Sequence, residues 1–324
     1  MADTLETSGE GMGVAFFQLL KDAGLKPHLG LVPDRSRRVF NFDYPNLYQV
    51  VRESELVGVE VPGAGVTWFD PTLRHAQPGL VHPGKQGMPG LDVDPAKWTV
   101  TQMRVPVQRA SANRRTFEYW IGLGDEEDTF RMTAGFKGYP EYLERRQYMA
   151  YEGKEQARLL KERLEERLKG ATLTRTEVLD AQNPLKPVRW EVQGSLESRG
   201  GRRRQVLPFP ALPETLWIPE HFRATRTSRI VLPYTRTQTA VSHITVPKGY
   251  RVGPMAPVTR STSFGTVSWT ATAQPRGEDT EVTVALTVEV TRIFALASSY
   301  VEFKNFLGMV DEVSRTVLLL EKTQ

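Results

Sequence analysis

Asp70 is the residue that invites a chemical reading. It sits in the stretch GVTWFDPT, residues 65–72, where an apolar run ends in Trp68 and Phe69 and stops at a carboxylate. In a thiol enzyme, a carboxylate so placed orients a histidine, which in turn activates the nucleophile. The chain has no cysteine, which excludes a thiolate nucleophile, thiolate metal ligands and disulfides. The five histidines are His28, His75, His82, His221 and His243. His28 reads as a polar edge position on a strand. His75 and His82 fall in one long loop with no acidic partner at metal-ligand spacing, so no metal is expected. His221 and His243 carry no motif. No G-x-S-x-G, H-E-x-x-H or phosphate-cradling glycine loop is present, and no cofactor is expected. An Asp before Pro also has a purely structural use: its side chain accepts backbone N–H bonds two residues on. Thr72 supplies a second local hydroxyl.

The elements that must position Asp70 are short. Residues 12–23 carry Phe16, Leu19, Leu20 and Ala23 at helical spacing, with Gly24 as the stop. Strands are expected at 26–33, 46–54 and 65–70, which makes an α+β unit with an antiparallel sheet. A Pro- and Gly-rich segment, 74–90, reads as a loop or a domain boundary. Beyond it, 98–108, 114–124 and 128–136 alternate apolar with polar residues and read as half-buried strands. One long helix is expected over 139–168, with Leu160 and Leu164 facing a sheet and Gly153 inside it. Further strands are expected at 172–179 and 188–197 and within 228–252. A hairpin at 265–291 turns near Gly277, Glu278 and Asp279. A terminal helix near 299–315 and a last strand near 317–320 close the chain. The expected domains are 1–95, 96–204 and 205–324.

Composition is that of an ordinary globular chain: 324 residues, 40% hydrophobic, 25% charged, formal net charge +4. No run approaches the ~18 apolar residues of a membrane span. The first dozen residues have neither a basic region nor an apolar core, so they do not read as a signal peptide. The densest cationic cluster, Arg202–Arg204, lies between glycines and reads as a solvated turn. It has no interleaved aromatic platform, so nucleic acid is not an expected partner. Phe117–Trp120 and the stretch 207–222 are rich in aromatic and proline residues and are candidate protein- or peptide-contact surfaces, or core.

Two quoted stretches carry a family resemblance. GMGVAFFQLLKDAGLKPHLGLVP and GVTWFDPTLRHAQPGLVHPGKQG are similar to the second half of a bacterial transglutaminase-like core. VLPYTRTQTAVSHITVPKGYRV and YVEFKNFLGMVDEV resemble the β-rich domains that follow this core. The resemblance implies a partial papain/transglutaminase-like fold, helix plus antiparallel sheet, followed by mainly-β, sandwich-like domains. It also implies an exported protein. In that family a helix begins at the catalytic cysteine, a strand carries the histidine, and the next strand ends in the orienting aspartate. Residue by residue, the nucleophile falls at Gly9, beside Ser8, and the histidine at Gln49 or Tyr48. Only Asp70 matches. The expectation is a catalytically inactive transglutaminase-like protein serving as a binding or scaffold module. The alternatives are part of a larger cysteine enzyme, or a carbohydrate- or protein-binding β protein.

Overall fold

A computed structural model describes residues 11–35, 55–63, 65–94, 97, 99–166, 168, 170–197, 203–209 and 225–323. Gly9, Tyr48, Gln49, His221 and the strand expected at 46–54 lie outside them. The chain forms two compact units, 1–108 and 109–324, in a mixed α+β architecture with several sheets.

In the first unit, helix α1 (Met12–Asp22) precedes five strands: β1 (Pro27–Leu31), β2 (Glu55–Val61), β3 (Gly65–Phe69), β4 (Pro89–Asp94) and β5 (Thr99–Arg104). They pair antiparallel in the order β3-β2-β1-β4-β5. Helix α1 packs on β1 and β2, with Phe16 edge-on to Phe69 at 6.1 Å. Strand β2 lies where the sequence reading left a gap. Its ELVGVEV buries Leu56 to Val59 in an unbroken run with no clean alternation, because α1 packs on one face and the Trp68 ring lies over Gly58 on the other, while Glu60 and Val61 stay exposed. The segment 74–90 is a loop as far as β4. It folds back with Leu80, Val81 and Met88 buried, and leads into β4.

The second unit is built on an eight-stranded sheet. Its strands are β6 (Arg114–Gly122), β7 (Glu127–Lys137), β8 (Ala171–Leu179), β9 (Arg189–Glu197), β12 (Arg236–Val246), β14 (Val258–Thr262), β15 (Gly265–Arg276) and β16 (Asp279–Val290). Their order is β14-β15-β16-β12-β6-β7-β9-β8, with β6 and β12 parallel. Strands from either side of residue 204 therefore share one sheet. Two small sheets accompany it: β10 (Arg203–Val206) with β18 (Leu318–Lys322) and β13 (Tyr250–Val252), and β11 (Ile230–Val231) with β17 (Phe294–Ala295). Strand alternation sends Phe117, Tyr119 and Ile121 to one face of the large sheet. There they join Trp190, Leu160, Leu164, Phe303 and Phe306 in a single core. Phe117 and Tyr119 are thus core residues, not a contact surface.

The long helix expected over 139–168 is two, α2 (Tyr139–Tyr148) and α3 (Gly153–Glu165). The break at 149–152 is held by Gln156, whose Nε2 donates to the Tyr148 and Tyr151 carbonyls. Helix α4 (Tyr300–Ser314) lies within a residue of its expected position. The β15–β16 hairpin closes Arg276 against Asp279, with Gly277 at φ 65° as the first of two loop residues. Glycine at that position is what a type II′ turn requires.

Candidate functional site

Asp70 is buried, 5% exposed, just past the end of β3. Its Oδ1 accepts the Thr72 backbone N–H at 3.2 Å and the Thr72 hydroxyl at 2.5 Å, the Asx-type turn that Asp-Pro-Thr favours. Its Oδ2 accepts the His82 backbone N–H at 3.1 Å. The remaining partner is a cation: Lys85 Nζ donates to Oδ1 at 3.0 Å, and Lys85 is itself only 3% exposed. Lys85 Nζ also donates to the Glu55 carbonyl at 3.4 Å, tying β2 to the end of β3.

The Lys85 loop is fixed from several sides. Lys85 N–H donates to the His82 carbonyl and Met88 N–H to the Lys85 carbonyl. Gln86 Nε2 donates to the Val81 carbonyl and to Gln108 Oε1. Arg35 N–H donates to the Gly84 carbonyl, and its guanidinium to the Gln86 carbonyl. Asp34 packs so closely on Gly84 that a Cβ there would collide with its carboxylate. His82 Nδ1 lies 3.2 Å from Asp34 Oδ2 and accepts the Gly84 N–H at 3.1 Å. Burial lowers the His82 pKa, with Asp34 and Asp70 acting in the opposite sense and not prevailing.

Glu55, the first residue of β2, closes the group. Its Oε2 accepts the Gly13 N–H at 2.9 Å, in the first turn of α1. Helix N-termini leave such donors unpaired and favour negative charge. A Cβ on Gly13 would collide with this carboxylate, so glycine lets it approach.

Of the residues singled out in sequence, the structure places Asp70 in this site. Gly9 and Gln49 or Tyr48 lie outside the described residues. Sequence reasoning missed Lys85, Glu55, Asp34 and the role of His82. A buried carboxylate needs a compensating partner, and Lys85 was the cation available in a loop that also carries buried apolar residues. Among the described residues, no group of three or more His, Asp or Glu is arranged to hold a metal.

Other expectations shift. His28 lies on the central strand β1, not at an edge, because residues 89–94 form β4 outside it. His75 is exposed at φ 64°. His243 faces Glu118 at 3.3 Å and stacks on Trp120. Arg204 is not in a solvated turn. It is buried in β10, paired with Asp128 and donating to the Gly124 carbonyl at 3.0 Å.

No family model matches the chain, and no curated protein does. Among solved structures, a protein of Parabacteroides distasonis ATCC 8503 described as a "putative protease" is similar, with a TM-score of 0.45 and 12% identity. The match covers 94% of this chain and 41% of that one, so the chain spans well under half the length of the protein it resembles.

Proposed function

We propose that the first unit is a transglutaminase-like core without thiol chemistry, and that the protein acts as a binding or scaffold module. The observation that carries this is the Asp70 environment. The carboxylate that would orient a catalytic imidazole is held by Lys85, Thr72 and the His82 backbone N–H. His82, whose backbone N–H reaches Asp70, turns its Nδ1 to Asp34 and Gly84. Asp70 thus closes a turn and anchors a buried ammonium. Thermal unfolding of Asp70→Ala and Asp70→Asn tests this. Both substitutions orphan Lys85, and an uncompensated buried charge costs about 3–5 kcal/mol. Both variants should melt well below the parent chain. Wild-type melting of either, with loss of an activity or a bound partner, would make Asp70 a working residue.

A second reading is favoured by α1. Val14 and Leu19 on this helix, and Leu25 just after it, are exposed apolar side chains. They suit a core completed by further protein, as part of a larger cysteine enzyme would be. Cross-linking from position 19 in the native complex, followed by labelling with a thiol-directed probe, separates the two. A labelled cysteine in the linked protein supports the second reading, and its absence supports the first.

A further inference from the structure

We propose that the sheet face of the first unit opposite α1 is a saccharide-binding surface built on Trp68. This goes beyond the Asp70 site and uses none of its groups. Strand residues alternate in direction, so Phe69 meets α1 while Trp68 points to the opposite face.

Trp68 lies down on the sheet. A Cβ built on Gly58, in the neighbouring strand β2, would sit 3.0 Å from Trp68 Cζ3. One built on Gly30, a strand further on in β1, would sit 2.7 Å from the same atom. Two strand spacings are about 9.6 Å, and a side chain spans that reach only by extending along the sheet. The two glycines form the bed for the ring. Glycine within a strand weakens it and often marks close approach of another group, and here two central strands carry one each. The indole is half-buried, one face on the glycines.

Hydrogen-bonding groups continue from the ring edge across the same face. His28 is edge-on to Trp68 at 6.4 Å. Its Nδ1 lies 3.1 Å from Asp92 Oδ2, and its Nε2 lies 3.5 Å from Glu60 Oε1. Thr101, exposed on β5, stands opposite Asp92 in register. An apolar plate beside a row of carboxylate, imidazole and hydroxyl groups is chemically complementary to a pyranose. The C–H face of the sugar lies on the indole, and its hydroxyls donate to Glu60 and Asp92. The row of groups runs over five strands, long enough to take more than one sugar ring. A packing face against more protein would present apolar side chains where Glu60, His28, Asp92 and Thr101 stand. An organic ammonium is the competing ligand class, through the ring face and the two carboxylates.

The test is an NMR titration of the full chain, following the Trp68 indole N–H. Cellobiose, maltose and chitobiose serve as sugar probes and cadaverine as the cation probe. At least one disaccharide should shift the Trp68 resonance saturably, with a Kd of about 1 mM. Gly30→Ala, which displaces the ring, should abolish the shift. Glu60→Gln and Thr101→Ala, at exposed positions, should each weaken binding several-fold, and they decide the matter if Gly30→Ala does not fold. Glu278→Gln in the second unit should change nothing. The proposal is overturned if no disaccharide moves the resonance up to about 20 mM. It is equally overturned if cadaverine alone does so, or if the shift survives in folded Gly30→Ala or in both exposed-site variants.

Discussion

Replacing Lys85 with methionine tests the buried pair from its cationic side. Methionine keeps most of the stem volume and removes the ammonium. Two bonds vanish, to Asp70 Oδ1 at 3.0 Å and to the Glu55 carbonyl at 3.4 Å. Breaking a buried ion pair from one side costs about 3–5 kcal/mol. Asp70 keeps the Thr72 N–H, the Thr72 hydroxyl and the His82 N–H, which places the expected loss near the lower bound, about 3 kcal/mol. Removing both charges together is far milder, because exchanging a whole buried pair for uncharged groups is often neutral. The double variant Asp70→Asn/Lys85→Met should therefore be more stable than either single one, with a coupling of about 2 kcal/mol. The two units need not unfold together, so a global melt can blur the effect. Hydrogen exchange of the Val57 and Val59 amides, in the middle of β2, reports opening of the first unit alone. Lys85→Met exchanging within about 0.5 kcal/mol of the parent, the range of inconsequential surface changes, would refute the reasoning.

Three further outcomes are expected. Burial depresses the His82 pKa below its ordinary 6.5, so the folded state disfavours the extra proton. Stability from this group is present above pH 6.5 and is lost as pH falls through the folded pKa; His82→Gln should flatten the pH dependence of the exchange-measured stability of the first unit below pH 6.5. In the second unit, Arg145 is buried, donating to the Asp180, Ala181, Asn183 and Lys186 carbonyls and to Glu141. Arg145→Met strands these acceptors and the Glu141 charge and should cost about 3–5 kcal/mol in urea unfolding, against little change for the exposed Arg158→Met. Leu164→Ala should cost about 2–5 kcal/mol, because Leu164 is wholly buried on the inner face of α3; an unchanged unfolding midpoint would mean that α3 does not close the core.

Legibility followed locality. The β15–β16 hairpin, α4 and the strands β6 to β9 lie close to where alternation, helical spacing and turn residues put them. Their signals are carried by neighbours in sequence. The split between α2 and α3 was half visible: Gly153 marked the spot, but the Gln156 bonds that hold the break bridge five and eight residues. Strand β2 was missed because central burial erases the alternation that announces a strand. The Asp70 turn was readable from Asp-Pro-Thr. Its cation was not, because Lys85 lies 15 positions along the chain and reaches Asp70 only after the intervening loop has folded back. Arg204 deceived for the same reason. Its glycine-flanked sequence suggested solvent, while its partner Asp128 is 76 residues away.

The central claim is that Asp70 serves the fold and not a reaction. The most direct measurement is incorporation of a fluorescent primary amine into a glutamine-containing protein substrate by the full chain, beside Asp70→Asn. The expected result is no incorporation above the protein-free control for either chain, although Asp70→Asn is less stable. Turnover by the parent chain that disappears in folded Asp70→Asn would contradict it and make Asp70 a catalytic residue.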